Sequence, residues 1–154
     1  MHAPAVDRVR ANTWPPLNER LDNEAQLRLR EAADSASSDD LTTRITQLDY
    51  EWDFERTLEV EASVMGLVGL ALGLALDKRL LVVPAFVAAM LLLHATYGWY
   101  PLLPIFRRVG ARTQDEIDRE RYGLKALRGD FTALPSDRSA AAERASAVWK
   151  AVCE

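Results

Sequence analysis

The sequence predicts an all-α protein built on a membrane helical hairpin, two transmembrane helices with amphipathic cytoplasmic helices on either side. Three observations predict it. Fifteen residues from Ala62 to Leu76 carry no charge, and a second uncharged run extends from Leu80 to Phe106. Charges bracket both runs: Glu59 and Glu61 before, Asp77, Lys78 and Arg79 between, Arg107 and Arg108 after. They mark where an apolar solvent would end.

The turn follows from length. As one helix, the thirty-nine residues from Ala62 to Tyr100 would extend about 58 Å, against a hydrocarbon core of about 30 Å. The chain must therefore reverse, and Asp77, Lys78 and Arg79 place the reversal at the far surface, because each would cost about 2.5 to 3.5 kcal/mol at mid-bilayer. Two antiparallel helices then satisfy their backbone groups internally, as lipid requires. The first run is short, rising about 22 Å, so it spans only with bilayer thinning, with Leu58 and Val60 recruited, or with a neighbour covering the mismatch. A buried hairpin in a soluble domain is the competing reading, but Val64 to Leu76 lacks the polar face of a soluble helix.

Before the hairpin, residues 1–40 read as a polar arm and helix. Pro4, Pro15 and Pro16 make residues 1–16 an extended arm with Trp14 as its one large anchor. Leu17, Leu21, Ala25 and Leu29 give the segment from Asn18 to Ala33 a thin helical stripe. The cluster from Asp34 to Asp40 breaks that helix and caps the next. Residues 41–61 form an amphipathic pre-membrane helix, with Leu41, Ile45, Leu48 and Trp52 on one face and aromatics alternating with carboxylates from Asp49 to Glu55, as at an interfacial belt.

Within the hairpin, residues 62–106, Ala62, Gly66, Gly69 and Gly73 share one face. Such a strip lets a second helix approach closely. Its expected partners are Ala85, Ala88 and Ala89 of the return helix, with self-association through the same strip as the alternative. Pro84 falls in the first turn of the return helix, where its missing N–H costs little. His94 is the ionisable group inside an uncharged run and so the candidate intramembrane polar site. Tyr97, Trp99 and Tyr100 follow within six residues and form the opposite aromatic belt. Trp52, Tyr97, Trp99, Tyr100, Arg107 and Arg108 are accordingly the expected interfacial anchors. Gly98, Pro101 and Pro104 end the helix.

Residues 107–131 form a basic interfacial helix. Thr113 and Glu116 make a capping box, and Arg119, Arg121, Lys125 and Arg128 suit an anionic lipid surface. Residues 132–154 add a short alanine-rich helix capped at Ser136, after a breaker at Leu134-Pro135. Basic residues gather at the open end of the hairpin, against only Lys78 and Arg79 at the turn, which places both termini in the cytoplasm.

Composition narrows function. The net charge of −4 divides into −7 over residues 1–61, +1 at the turn and +2 over residues 101–154. Nucleic acid is therefore not an expected partner. Cys153 is the single cysteine, so no internal disulfide forms. Residues 2–41 lack the apolar core of a signal peptide, leaving the first hairpin helix as its own insertion signal. No metal-spaced His/Cys set, glycine-rich phosphate loop or nucleophile with a histidine base occurs, so no catalytic residue, cofactor or metal is expected.

The order of features is familiar. Leu48-Asp49-Tyr50-Glu51-Trp52-Asp53, a glycine-rich first helix, Gly98-Trp99-Tyr100-Pro101, Gly110-Ala111-Arg112-Thr113 and the run from Glu120 to Phe131 together resemble the YgaP-like transmembrane domain family of bacterial inner-membrane proteins, over about residues 41–131. The resemblance implies a two-helix hairpin in the bacterial inner membrane and no enzymatic activity. Where that family commonly has a cysteine before the proline, this chain has Tyr100, which removes a thiol-based role at the turn. The expected function is a non-catalytic anchor, scaffold or accessory subunit whose partners are the lipid bilayer and either further copies of itself or a larger membrane complex. An oligomeric pore using His94 and a soluble helical adaptor are the alternatives.

Overall fold

The computed structural model describes residues 7–132, 134 and 141–153. Among these there is no strand, and eight α-helices follow one another: α1 Arg8–Ala11, α2 Pro15–Ser35, α3 Ser38–Asp49, α4 Phe54–Ala75, α5 Val82–Tyr97, α6 Leu103–Arg108, α7 Gln114–Arg128 and α8 Ala141–Cys153. Two helical stretches, Ser38–Ala75, which contains α4, and Lys78–Tyr97, which contains α5, are long and apolar enough to cross a membrane. The chain forms two compact units, one from residues up to Asn23 with Trp52–Ile117, the other from Glu24–Glu51 with residues from Asp118 on.

The first unit contains the hairpin. Helix α4 starts where Asp53 Oδ1 accepts the Arg56 N–H at 2.7 Å, and the Phe54 N–H donates to the Arg112 carbonyl at 2.7 Å. These bonds use the free amides of a helix start. They also break the predicted 41–61 helix at Tyr50–Asp53, since a side-chain cap at Asp53 competes with helical continuation. Trp52 lies in that break, exposed, beneath the Arg56 guanidinium 4.6 Å from its ring centre. At the far end, Asp77 Oδ1 accepts from the Arg79 N–H at 2.8 Å and a 3-10 turn over Lys78–Leu81 leads into α5.

Close approach of α4 and α5 rests on two glycines. A Cβ at Gly69 would lie 2.8 Å from Pro84 Cδ and 2.9 Å from Val83 Cβ, and one at Gly73 would lie 2.8 Å from Leu81 Cγ. The partners of the glycine strip are thus Leu81, Val83 and Pro84. The expected partners Ala85, Ala88 and Ala89 are exposed instead. The alternative of self-association through Gly69 and Gly73 is corrected by the same contacts, because the return helix already occupies that face. Ala62 is buried, whereas a Cβ at Gly66 would meet nothing within 4 Å. Gly66→Ala is expected to raise stability by about 0.5–1 kcal/mol through helix propensity. Gly69→Ala should lower it by about 1–3 kcal/mol through overpacking. Thermal melts of the two variants check the opposite signs.

The N-terminal arm is corrected too. Of residues 1–16, those described include the helical turn α1, with Val9 buried, and the start of α2 at Pro15. Pro15 and Pro16 sit in a first turn, where a missing N–H breaks no helical bond. Trp14 is exposed rather than anchored inside the unit. Pro4, His2 and the predicted Ser136 cap and Pro135 breaker lie outside the described residues. The core of this unit is Val9, Phe54, Leu58, Tyr100 and Leu103, with Met90, Leu91 and Phe106 packed against it.

In the second unit, Ser37 and Asp40 form a reciprocal capping box at the start of α3. Leu41, Ile45 and Leu48 bury one face of α3, and Leu124 is buried on α7. Gly123 admits Leu29, whose Cδ2 would stand 2.8 Å from a Cβ there.

Candidate functional site at the base of the hairpin

Polar side chains in the first unit concentrate where α4 begins and α5 ends. His94 lies in the last turn of α5, buried, its ring 5.7 Å from that of Phe54 and 6.3 Å from that of Tyr100. Its Nε2 donates to Glu55 Oε2 at 2.8 Å, the tautomer that a carboxylate acceptor selects. The Nδ1 atom is buried with no hydrogen-bond partner among the described residues. Glu55 is half exposed, so one end of the pair is buried and the other reaches the surface.

Past His94 the backbone reverses at Gly98, with φ 76°. Its left-handed conformation brings Tyr100 back against α4, where the hydroxyl donates to Glu61 Oε2 at 2.8 Å. Tyr100 is therefore buried, which corrects its assignment as an interfacial anchor. Tyr97 and Trp99 point outward and are exposed, as is Trp52. The final carbonyls of α5, unpaired in any helix, are taken by α1: Arg8 donates to the Ala95 carbonyl and Asn12 Nδ2 to the Tyr97 carbonyl at 2.8 Å.

A buried ion cluster in the same unit joins α1, the first part of α2, α6 and the start of α7. Arg107 is 0% exposed, which corrects its role as an interfacial anchor, whereas Arg108 is exposed. The Arg107 guanidinium forks onto Glu116, Nη1 to Oε2 at 2.6 Å and Nη2 to Oε1 at 2.7 Å, and donates to Asn18 Oδ1 at 2.9 Å and the Ala111 carbonyl at 2.9 Å. Arg10 bridges Glu116, at 2.6 Å, and Asp22. Glu116 also accepts the Thr113 N–H at 3.0 Å, completing the predicted capping box. One carboxylate thus caps a helix and neutralises two guanidiniums.

Burial alone would raise the Glu116 carboxyl, but the hydrogen bonds from Arg107 and the Thr113 N–H, with the Arg107 charge and the Arg10 bond, hold it below its ordinary value. A lowered carboxyl contributes stability that is fully present above its unfolded value and lost as pH falls through the folded one. Acid unfolding of the wild type is therefore expected to steepen below about pH 4.5, and Glu116→Gln should flatten that limb. Circular dichroism against pH checks it.

In the second unit, Glu120 is 0% exposed and is held by Arg28, Nη2 to Oε2 at 2.9 Å, and Arg44, Nη2 to Oε1 at 2.8 Å. Arg121 pairs with Asp49 and Asp118, and Arg128 with Asp130. Lys125 is buried, its Nζ donating to the Val152 carbonyl at 2.8 Å in the last turn of α8, where a cation meets the negative end of the helix dipole. Of the four basic residues expected to face anionic lipid, Arg121, Lys125 and Arg128 are engaged inside this unit, and Arg119 is exposed. That expectation is corrected for the three. Sequence spacing had signalled basic density but not the partners: Asp49 at the end of α3, Asp118 on α7 itself, Asp130 just past it and the last carbonyls of α8.

Among the described residues no group of three or more His, Cys, Asp or Glu is placed to hold a metal ion. The charged clusters place carboxylates against guanidiniums, an arrangement that fixes helices to one another. No protein-family model matches the chain, and no curated protein and no solved structure matches it either.

Proposed function

We propose that this chain is a small integral protein of the bacterial inner membrane, a YgaP-like hairpin acting as a non-catalytic anchor, scaffold or accessory subunit through helix–helix association. One observation carries the reading. The most apolar stretches of the two long helices are only 22% and 11% buried, whereas the core helix of a soluble domain buries its apolar residues. Leu67 and Leu74 on α4, Leu76 just after it, and Val82 and Leu92 on α5 are exposed. An exposed apolar surface of this extent belongs against lipid or a partner. The charge-free runs bounded by Asp77–Arg79 and the exposed Tyr97 and Trp99 support the same placement.

The His94 pore is the weaker reading, since His94 is buried among rings and bonded to Glu55 rather than set on an open helix face. The soluble adaptor would have to cover the exposed leucines of α4 with a partner.

Alkaline carbonate extraction tests the reading: the protein should stay in the membrane pellet, and recovery in the supernatant would favour the soluble adaptor. Cys153, the sole cysteine and exposed, is a built-in topology reporter. In intact spheroplasts it should resist a membrane-impermeant maleimide until lysis. Lys78→Cys in a Cys153→Ser background should label without lysis. Native mass spectrometry in mild detergent should give a multiple of 17.2 kDa or a mass containing larger subunits.

A further inference from the structure

A groove of about 540 Å³ runs along the hairpin within the first unit. Its walls are apolar and deformable: Met65 from α4 faces Val83, Phe86, Val87 and Met90 from α5. Methionines fit irregular guests because the thioether chain is flexible and polarisable. Tyr100, Pro101 and Leu102 also line it, and beside Tyr100 stands Glu61, the only charged residue lining the groove. Glu61 Oε2 accepts the Tyr100 hydroxyl, and no cation of the described residues pairs with this carboxylate. No lysine, arginine or histidine lines the groove.

From these features we infer that the groove is a binding site for a lipophilic monocation, with the apolar body between α4 and α5 and the positive charge against Glu61. Charge complementarity selects this guest. A carboxylate lining an apolar cleft acts through low-dielectric surroundings, where its attraction for a cation is stronger than in water. The rings of Phe86 and Tyr100 add faces that attract cations. A phospholipid fits less well: its phosphate would approach Glu61 with no basic side chain in the groove to hold it. The closest approach of α4 and α5 is made at Gly69 and Gly73, and neither glycine lines the groove. The inference goes beyond the anchor reading and does not depend on it, since the groove is lined by the hairpin's own residues and the loop that follows them.

The test uses the full chain, in phosphatidylcholine nanodiscs if it extracts from membranes and in buffer if it is soluble. The probe is radiolabelled tetraphenylphosphonium, with empty nanodiscs as background. Saturable binding of one cation per chain is expected, and tetraphenylborate, of the same shape and opposite charge, should show no saturable binding. Glu61→Gln should weaken the phosphonium at least tenfold, and Met65→Trp, which fills the groove, should abolish binding, each with the wild-type melting profile. The paired probes on the wild type decide the matter even where a variant fails to fold. Equal binding of the borate, absence of saturable phosphonium binding, or full affinity in a folded Glu61→Gln overturns the inference. So does native mass spectrometry that finds the groove held by a retained phospholipid or covered by a second copy, with the phosphonium unable to displace either.

Discussion

Replacing Gly98 by alanine is expected to cause one of the two largest losses of stability among single substitutions in the chain. Two costs combine at this position. Gly98 ends α5 at φ 76°, a left-handed conformation that costs other residues about 1–2 kcal/mol. A Cβ there would also stand 2.8 Å from the Arg8 backbone carbon and from its carbonyl oxygen, and backbone cannot swing aside as a flexible side chain does. Overpacking of this kind adds about 1–3 kcal/mol. Gly110 separates the two costs, since it too has a positive φ, 97°, but a Cβ there would meet nothing within 4 Å. Gly110→Ala should therefore lose only the conformational part. Melts followed by tryptophan fluorescence compare them, and equal losses in the two variants would refute a role for the α1 contact. Because Arg8 and Asn12 also take the last carbonyls of α5, Gly98→Ala should loosen the end of the return helix itself, visible as faster amide exchange in its last turn.

Arg107→Met is the second. Removing one partner of a buried ion pair leaves the other charge uncompensated, at about 3–5 kcal/mol, and here the charge left behind is Glu116, itself 5% exposed. Arg10 keeps one bond to Glu116 at 2.6 Å, so the loss should fall toward the lower end of that range. Arg107→Lys should recover little, because an ammonium cannot reproduce the fork onto both carboxylate oxygens while also reaching Asn18 and Ala111. Arg108→Met, one residue away and exposed, should change stability by no more than about 0.5 kcal/mol. A double-mutant cycle with Glu116→Gln measures the coupling. A neutral Arg107→Met, or equal effects at Arg107 and Arg108, would refute the buried cluster.

The contrast between these two arginines shows where sequence reasoning ends. Side by side after an apolar run, they look like an equivalent pair of interfacial anchors. The structure separates them because Arg107 alone meets Glu116, nine residues on at the start of the next helix, and Asn18, 89 residues back on α2. Tyr100 is a similar case. Its place in an aromatic run suggested a membrane belt, yet the reversal at Gly98 turns it inward onto Glu61. The clamp of Arg28 and Arg44 on Glu120 gave no local signal at all, since the three residues meet only when α2, α3 and α7 pack.

What the sequence by itself determined is what local forces control. Uncharged runs and the charges at their ends located the two long helices and the turn at Asp77–Arg79. Short-range hydrogen bonding located a capped start within the cluster Asp34–Asp40, which the structure fixes at Ser37, and another at Thr113, and the glycine before two prolines located the end of α5. Tertiary structure decided which charges are buried, which face of α5 meets the glycines of α4, that residues before Pro15 form a helical turn under α5, and that α6 exists at all. The physical reason is range. A helix start or a desolvated run depends on a few neighbours in sequence, whereas burying a charge requires a counter-charge and donors brought from several segments at once.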